Sequence, residues 1–228
     1  MTVAVLADNL ARIRDEIARV QALERVGGEV RIVAVTKGHP AEAVRAAAHA
    51  GLEDVGENRV QEALAKQAAV PEPVRWHLIG HLQTNKAKLV PGAFAMVHAI
   101  DSLRVAQALD LAAGKRRLRV PVLVQVNVAR EPQKAGALPE VAAELVDGIA
   151  NLTGLELRGL MTMAPFTDDE RVQRRVFADL RRLRDALRAP ARPLPELSMG
   201  MSGDFRAAVA EGATMVRLGT VLFGERAG

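Results

Sequence analysis

The feature that most constrains the fold is a regular alternation of short apolar runs with amphipathic segments. Eight strand-like runs recur along the chain, and a segment with helical spacing of apolar residues follows each of them. The runs read RIVAVT, LEDVGEN, RWHLIG, FAMVHAID, VPVLVQVNV, LELRGLMTM, ELSMGM and TMVRLG. Strands that alternate with helices form a parallel sheet, and eight such units predict a closed (β/α)8 barrel of the TIM type.

Two further expectations concern the rest of the chain. Residues 5–26 precede the first strand with helical periodicity, so an extra N-terminal helix is expected. No linker or low-complexity stretch divides the sequence, which predicts one domain over residues 1–228. An open, doubly wound sheet is the alternative fold, although no G-x-G-x-x-G motif follows the first strand to support its dinucleotide-binding form.

Composition narrows the classes of function. The chain has no cysteine, which excludes disulfides, thiolate metal sites and a cysteine nucleophile. Its N-terminus has no signal-peptide pattern, and its apolar runs are shorter than a membrane span. A cytoplasmic location without a membrane partner is therefore expected.

The formal net charge of +4 raises the question of nucleic-acid binding. Much of the excess lies in RVQRRVFADLRRLRDALRAPAR, where apolar residues recur at helical spacing. The arginines fall mostly between these apolar positions, which are Val172, Val176, Leu180, Leu183 and Leu187. This pattern predicts a solvated amphipathic helix. Because 5 Phe, 1 Trp and no Tyr leave few rings to stack on bases, no specific nucleic-acid partner is expected.

Active sites of such barrels lie at the carboxyl ends of the strands, so the polar residues that end each run are the candidate site residues. They are Lys37, Glu57, Asn58, His77, His81, Asp101, Gln125, Asn127, Thr162, Met163, Ser198, Ser202, Arg217, Gly219 and Thr220. The barrel fold predicts that these residues converge on one mouth.

Lys37 closes the first apolar run, and two interpretations of it stand side by side. Burial at a barrel mouth lowers the pKa of a lysine, and its neutral amine then forms a Schiff base with a carbonyl. The alternative is that the lysine has no chemical role and only extends its ammonium group from the strand end into water. The spacing alone does not decide between the two.

An anion site is predicted near the C-terminus. Ser202 and Gly203 are expected to open a helix, whose free N–H groups favour an anion, and Gly219 and Thr220 follow the eighth strand. The alternative is that Ser202 is only a helix cap, and the negative Asp204 beside it argues mildly against an anion. A reactive lysine and a phosphate site together suit a carbonyl-bearing phosphate ester, either pyridoxal 5′-phosphate or a sugar phosphate in an aldolase.

Six segments, taken together, resemble one known family. They are AVTKGHP, VGENRVQE, WHLIGHLQTNK, VQVNVAREPQKAG, RGLMTM and LSMGMSGDFRAAVAEGATMVRLGTVLFG. In this order they are similar to the pyridoxal phosphate homeostasis proteins, relatives of the barrel domain of alanine racemase, and they span nearly the whole chain. The resemblance implies a barrel that holds pyridoxal phosphate as its cofactor.

The resemblance also implies roles for individual residues. Lys37 would form the Schiff base with pyridoxal phosphate, and Asn58 would lie against its ring. Ser202, Gly219 and Thr220 would hold the phosphate, Arg217 would face the pyridine nitrogen, and Met199 and Met201 would pack around the cofactor. His81 lies where the family varies, so it receives no role.

Two observations weigh against catalysis. A guanidinium beside the ring nitrogen disfavours its protonation, and an unprotonated pyridine is a poorer electron sink. Related racemases use a tyrosine opposite the lysine, and this chain has none. The leading hypothesis is a non-catalytic protein of vitamin B6 homeostasis that exchanges pyridoxal phosphate with apo-enzymes.

Three alternative functions remain. An amino-acid racemase would need His77, His81 or water as its second acid or base. An aldolase would use Lys37 on a sugar phosphate, and binding of RNA or membranes would use the arginine-rich helix. A monomer is expected, because no dimerisation motif is evident.

Overall fold

The eight predicted strands form a closed, parallel barrel in the computed structural model, which describes residues 2–225. Each strand pairs with its neighbour in sequence, and β8 pairs with β1 over Arg31↔Met215 to Ala34↔Leu218. The prediction of a (β/α)8 barrel is confirmed, and the open doubly wound alternative is wrong. The strands are β1 (Arg31–Val35), β2 (Asp54–Glu57), β3 (Arg75–Leu78), β4 (Met96–Ile100), β5 (Val120–Gln125), β6 (Leu155–Met161), β7 (Glu196–Ser198) and β8 (Met215–Leu218).

Helices follow the strands in the predicted order. They are α1 (Val3–Glu24), α2 (Ala41–His49), α3 (Val60–Ala69), α4 (Leu103–Lys115), α5 (Pro139–Ala150), α6 (Glu170–Leu187), α7 (Phe205–Ala210) and α8 (Thr220–Phe223). A 3-10 helix, Thr84–Leu89, follows β3. The additional N-terminal helix is present as α1. The expected helix start at Ser202 and Gly203 is wrong, because these residues lie in a turn before α7.

Side chains of β1 show how the barrel separates two apolar regions. Ile32 and Ala34 belong to the core between sheet and helices, whereas Val33 belongs to a second cluster inside the barrel. This alternation follows from the two-residue period of a strand. The apolar lumen cluster consists of Val33, Met96, Ala99, Leu123, Met161 and Met215.

Helix α1 lies where the first and last βα units meet. It packs against α2, α7 and α8. The Asn9 side chain donates to the Leu222 carbonyl at 2.9 Å, and Arg206 donates to Glu16 at 2.7 Å. Burial of Leu6, Leu10 and neighbouring apolar residues stabilises this contact.

The arginine-rich segment forms α6, as predicted. Val176 and Leu180 of its apolar face are buried, whereas Val172, in the first turn, is 39% exposed. Arg174 forms ion pairs with Glu24 of α1 and Glu211. Within residues 2–225, no helix is both long and apolar enough to cross a membrane.

Candidate functional site

Lys37 lies at the mouth, in the turn that follows β1. The His39 N–H donates to the Thr36 carbonyl at 3.0 Å, which closes a four-residue turn with Lys37 at its second position. Gly38 has a φ of +72°, a conformation that a side chain disfavours. The chain therefore reverses direction at Lys37, which is half-buried.

A buried ion pair fixes the residue that precedes Lys37. The Lys66 ammonium donates to the Thr36 carbonyl at 2.7 Å and to Glu57 Oε1 at 2.5 Å. Thr36 Oγ1 donates to the same carboxylate oxygen at 2.6 Å. Glu57, predicted at the mouth, is instead fully buried against α3. Glu57 supports the turn through its hydrogen bonds to Thr36 and Lys66. Its position at the end of β2 did not predict this role.

Asn58 follows β2 and is half-buried beside the Lys37 turn. The β1–β2 register runs to Val35↔Gly56, so Lys37 and Asn58 each follow the last paired residues of adjacent strands by two positions. A Cβ on Gly80 would lie 2.4 Å from the Asn58 carbonyl oxygen. Position 80 therefore requires glycine, and its close approach confines the Asn58 backbone.

The loops after β7 and β8 meet at Ser202. Its Oγ accepts hydrogen bonds from the N–H groups of Gly219 at 3.2 Å and Val221 at 3.4 Å. These donors belong to the start of α8, so Ser202 serves that helix and not α7. Thr220 lies between them and is exposed. The structure therefore brings Ser202, Gly219 and Thr220 together, and the sequence analysis missed the Val221 N–H group.

Asp204 turns its carboxylate toward the loop backbone, where Oδ1 accepts from the Met201 N–H at 2.5 Å. Burial raises the pKa of Asp204, while this hydrogen bond and the Arg217 charge oppose the rise. Met199 of the same loop is fully buried, and Met201 is 37% exposed. The carboxylate is thus engaged locally, which weakens the argument that it repels an anion at Ser202.

Arg217 extends from β8 into the barrel and is buried. Its Nη1 donates to Ser198 Oγ at 2.7 Å and its Nη2 to the Thr162 carbonyl at 2.9 Å. Burial lowers the pKa of Arg217 to about 10, and Asp204 opposes this shift. The guanidinium therefore stays charged at neutral pH.

A chain of polar side chains continues from Arg217 toward the opposite end of the barrel. Ser198 Oγ lies 2.8 Å from His98 Nδ1, and His98 Nε2 lies 2.8 Å from His77 Nδ1. His77 Nε2 in turn lies 2.8 Å from Asp54 Oδ1. We call Asp54, His77, His98, Ser198 and Arg217 the polar seam. The expected place of His77 at the mouth is wrong, because its ring is buried within the lumen.

The loop after β5 is shaped by two of the candidate residues. Gln125 Nε2 donates to the Ala135 carbonyl at 2.8 Å, and Asn127 Nδ2 donates to the Glu131 carbonyl at 2.8 Å. Both amides are buried. They order the segment between β5 and α5, which is a structural role.

His81 lies on another part of the mouth. Its Nδ1 is 3.1 Å from Asp101 Oδ2, and its side chain is exposed. Both residues line a cavity of about 680 Å³ between the loops that follow β3 and β4. In an eight-stranded barrel this position is roughly opposite the β8–β1 junction. His81 and Asp101 therefore belong to the mouth but not to the group around Lys37 and Ser202.

Comparison with known proteins gives consistent similarities. Residues 9–227 match the family described as alanine racemase, N-terminal domain. A curated relative from Pseudomonas aeruginosa, named pyridoxal phosphate homeostasis protein, is 42% identical over 98% of this chain and 96% of its own. The PipY structure from Synechococcus elongatus, with PLP bound, is 38% identical, has a TM-score of 0.84, and covers 96% of this chain and 100% of PipY.

Alanine racemase from Clostridium difficile is a more distant structural relative. It is 16% identical, has a TM-score of 0.76, and aligns with 97% of this chain but 58% of its own. At this identity the likeness concerns the barrel fold alone.

Proposed function

The chain belongs to the alanine racemase N-terminal domain family and, within it, to the pyridoxal phosphate homeostasis proteins, and on this premise we propose that it binds pyridoxal 5′-phosphate. The cofactor is held through a Schiff base to Lys37, and the protein takes part in intracellular vitamin B6 homeostasis without robust catalysis. Residues 1–228 act as one cofactor-binding domain.

The observation that carries this proposal is the meeting of a lysine and a set of anion donors at one strand junction. Lys37 follows β1, and the N–H groups of Gly219 and Val221 converge on Ser202 beside the adjoining β8. A Cβ built on Gly219 would be 3.6 Å from Val35 of β1, two residues before Lys37, so the segment after β8 lies close to the end of β1. A phosphate that replaces the Ser202 oxygen as acceptor would receive hydrogen bonds from these N–H groups, and the lysine would condense with an aldehyde.

Each residue has a physical task in this arrangement. Pyridoxal phosphate supplies an aldehyde that condenses with an amine and a pyridine ring that withdraws electrons. The Lys66–Glu57 pair holds the Thr36 carbonyl, which orients the turn that carries Lys37. Ser202 and the α8 N–H groups bind phosphate oxygens, and Asn58 and the exposed Met201 confine the ring, with Met199 buried behind them.

Arg217 accounts for the absence of robust catalysis. Its guanidinium remains charged despite burial, since its pKa is about 10. A permanent cation facing the ring nitrogen disfavours a second positive charge there. Arg217 therefore keeps the ring a weak electron sink, which suits storage of the cofactor better than turnover of an amino acid.

An amino-acid racemase is the second candidate, and one observation narrows it. Both ring nitrogens of His77 have partners inside the lumen, so His77 cannot act at the mouth. Of these two histidines, His81 is the one exposed at the mouth, where it pairs with Asp101 away from the Lys37 group. Exchange of the Cα proton with deuterium across a panel of amino acids tests this; exchange lost in His81→Ala would favour the racemase.

Absorbance and peptide mapping test the Schiff base. Protein reconstituted with pyridoxal phosphate should show an absorbance band that is missing in Lys37→Ala. Reduction with borohydride should fix the pyridoxyl group on the Lys37 peptide, and Lys115→Ala, an exposed lysine at the end of α4, should label as the unchanged protein does. A normal band in Lys37→Ala, or label on another lysine, would reject the assignment.

Delivery of the cofactor to acceptor enzymes needs a separate test. The loaded protein is mixed with an apo-enzyme and with a trap that removes free pyridoxal phosphate. Activation of the apo-enzyme that outpaces the trap supports direct transfer. Activation that the trap abolishes would reduce the role to buffering of the free aldehyde. We expect the protein to act as a monomer, and sedimentation of the loaded form measures this.

A further inference from the structure

The polar seam crosses the same lumen that holds the apolar lumen cluster. Barrels of this class usually fill the lumen with bulky aliphatic residues. Here four consecutive contacts of 2.7 to 2.8 Å join Arg217, Ser198, His98, His77 and Asp54. Buried polar groups are costly unless each is partnered. The completeness of these contacts prompts the question of what the seam does for Arg217.

The position of the protons can be worked out from the Asp54 end. Although burial works against its charge, hydrogen bonds from Arg75 and His77 hold the pKa of Asp54 well below its usual range. Arg75 donates to both carboxylate oxygens at 2.7 Å. An ionised carboxylate only accepts hydrogen bonds, so His77 must carry a proton on Nε2.

His98 determines the direction of the remaining hydrogen bonds in the polar seam. Burial, with help from the Arg217 charge, lowers the pKa of His98 well below its usual value, so the ring is neutral. When His77 is neutral, its Nδ1 accepts, and His98 must donate from Nε2. The unprotonated Nδ1 of His98 then accepts from the Ser198 hydroxyl, whose lone pairs accept from Arg217.

The opposite orientation leaves a proton without an acceptor. It would require a doubly protonated His77 that donates to His98, and His98 would then donate from Nδ1 to Ser198. Within residues 2–225, Ser198 Oγ has His98 and Arg217 as its hydrogen-bond neighbours. Both would then be donors, and the buried Ser198 proton would lack a partner, which costs about 1–3 kcal/mol.

We propose that Ser198, His98, His77 and Asp54 are positioning residues whose hydrogen bonds all point from Arg217 toward Asp54 and hold the guanidinium in place at the cofactor ring. This inference rests on the proposed function. Ser198 presents a lone pair, not a proton, to Arg217, because its own proton is committed to His98. The guanidinium, which can only donate, is thereby anchored in the lumen on one side.

The first experiment examines the proton positions without any cofactor. Long-range ¹H–¹⁵N correlation spectra distinguish the two neutral histidine tautomers and the cation. His98 should appear as a neutral ring with its proton on Nε2, His77 should carry no proton on Nδ1, and exposed His81 supplies a reference spectrum. A cationic His77, or a proton on Nδ1 of His98, would overturn the proposed direction.

The second experiment breaks the chain at its smallest member. Ser198→Ala removes the link between His98 and Arg217 and leaves every group that is assigned to contact the cofactor. The readout is the ring ¹⁵N resonance of labelled pyridoxal phosphate bound to Lys37. This resonance should lie at the unprotonated position in the wild type and move toward the protonated position in Ser198→Ala.

Two comparison variants separate positioning from a general disturbance of the core. Ser198→Thr retains a hydroxyl and should keep the wild-type resonance, whereas His77→Gln, which alters the seam three contacts away from Arg217, should reproduce part of the shift. Leu123→Met, a substitution of similar volume in the apolar lumen cluster, should leave the resonance unchanged.

The outcomes distinguish this inference from the proposed function. If the wild type forms no Schiff base at Lys37, the proposed function fails. The tautomer spectra still test the direction of the hydrogen bonds in the polar seam. If Ser198→Ala and His77→Gln both bind the cofactor with an unmoved ring resonance, the seam does not position Arg217. An equal shift in Leu123→Met would also reject the inference.

Discussion

The barrel lumen contains two sets of side chains with opposite properties. The apolar lumen cluster around Leu123 has no polar partner to lose and depends on volume alone. The polar seam from Asp54 to Arg217 fills comparable space, but each member depends on the next for its hydrogen bond. One lumen can therefore tolerate amino-acid substitution at some positions, whereas a single substitution at others is strongly destabilising.

The largest effect is expected at Asp54. Asp54→Ala leaves the His77 Nε2–H buried without its acceptor and breaks the pair with Arg75. Loss of one partner of a buried pair costs about 3–5 kcal/mol, and the low end applies because Arg75 is half-exposed and also contacts Glu53. Urea unfolding measures the free energy. A cost as small as that of a surface substitution would show that the seam is not coupled to stability.

A double substitution should sharpen the comparison. His77→Leu removes the ring that Asp54→Ala leaves unpaired, so the double variant should be more stable than the sum of the single effects predicts. The coupling between contacting residues should be about 1–3 kcal/mol. Additive effects in a double-mutant cycle would instead mean that Asp54 and His77 act independently.

Acid should weaken the polar seam before the apolar lumen cluster. The folded-state pKa of Asp54 lies below its unfolded value, so its stabilising contribution is present above about pH 4 and is lost as the pH falls through the folded pKa. The urea midpoint of the wild type should therefore decline as the medium is acidified. In Asp54→Asn this decline should be shallower, and an unchanged slope would contradict the assignment.

The smallest effect is expected in the apolar lumen cluster. Leu123→Met keeps nearly the same volume and should cost less than about 1.5 kcal/mol. Calorimetry of this variant beside Asp54→Ala gives the contrast directly. A cost at Leu123 equal to that at Asp54 would erase the proposed difference between the two sets.

The fold was predictable because its signal is local. Each strand of the barrel is a short apolar run, and each of β1, β6 and β8 leads at its carboxyl end to a candidate site residue. Lys37, Ser202 and Gly219 could be selected as candidates because a parallel barrel brings strand ends together whatever the loops between them do.

The polar seam was not predictable by the same means. His77 was assigned to the mouth as a polar residue near a strand end, while Asp54 and His98 were overlooked. Their partners lie 21 to 100 residues away in sequence, so the contacts exist only after the barrel has closed. A histidine within an apolar strand, as in MVHAI, was the available signal, because a lone buried ring needs a partner.

The pairing of β1 with β8 has a consequence for synthesis on the ribosome. The chain grows from its N-terminus, so β1 emerges about 180 residues before the strand that completes its pairing. Until then one edge of β1 has exposed backbone groups, which can pair with other chains. Helix α1 packs beside this junction. It contacts α2, which is synthesised early, and α7 and α8, which are synthesised late. A nascent chain that stalls before residue 215 would thus be an open sheet and a substrate for chaperones.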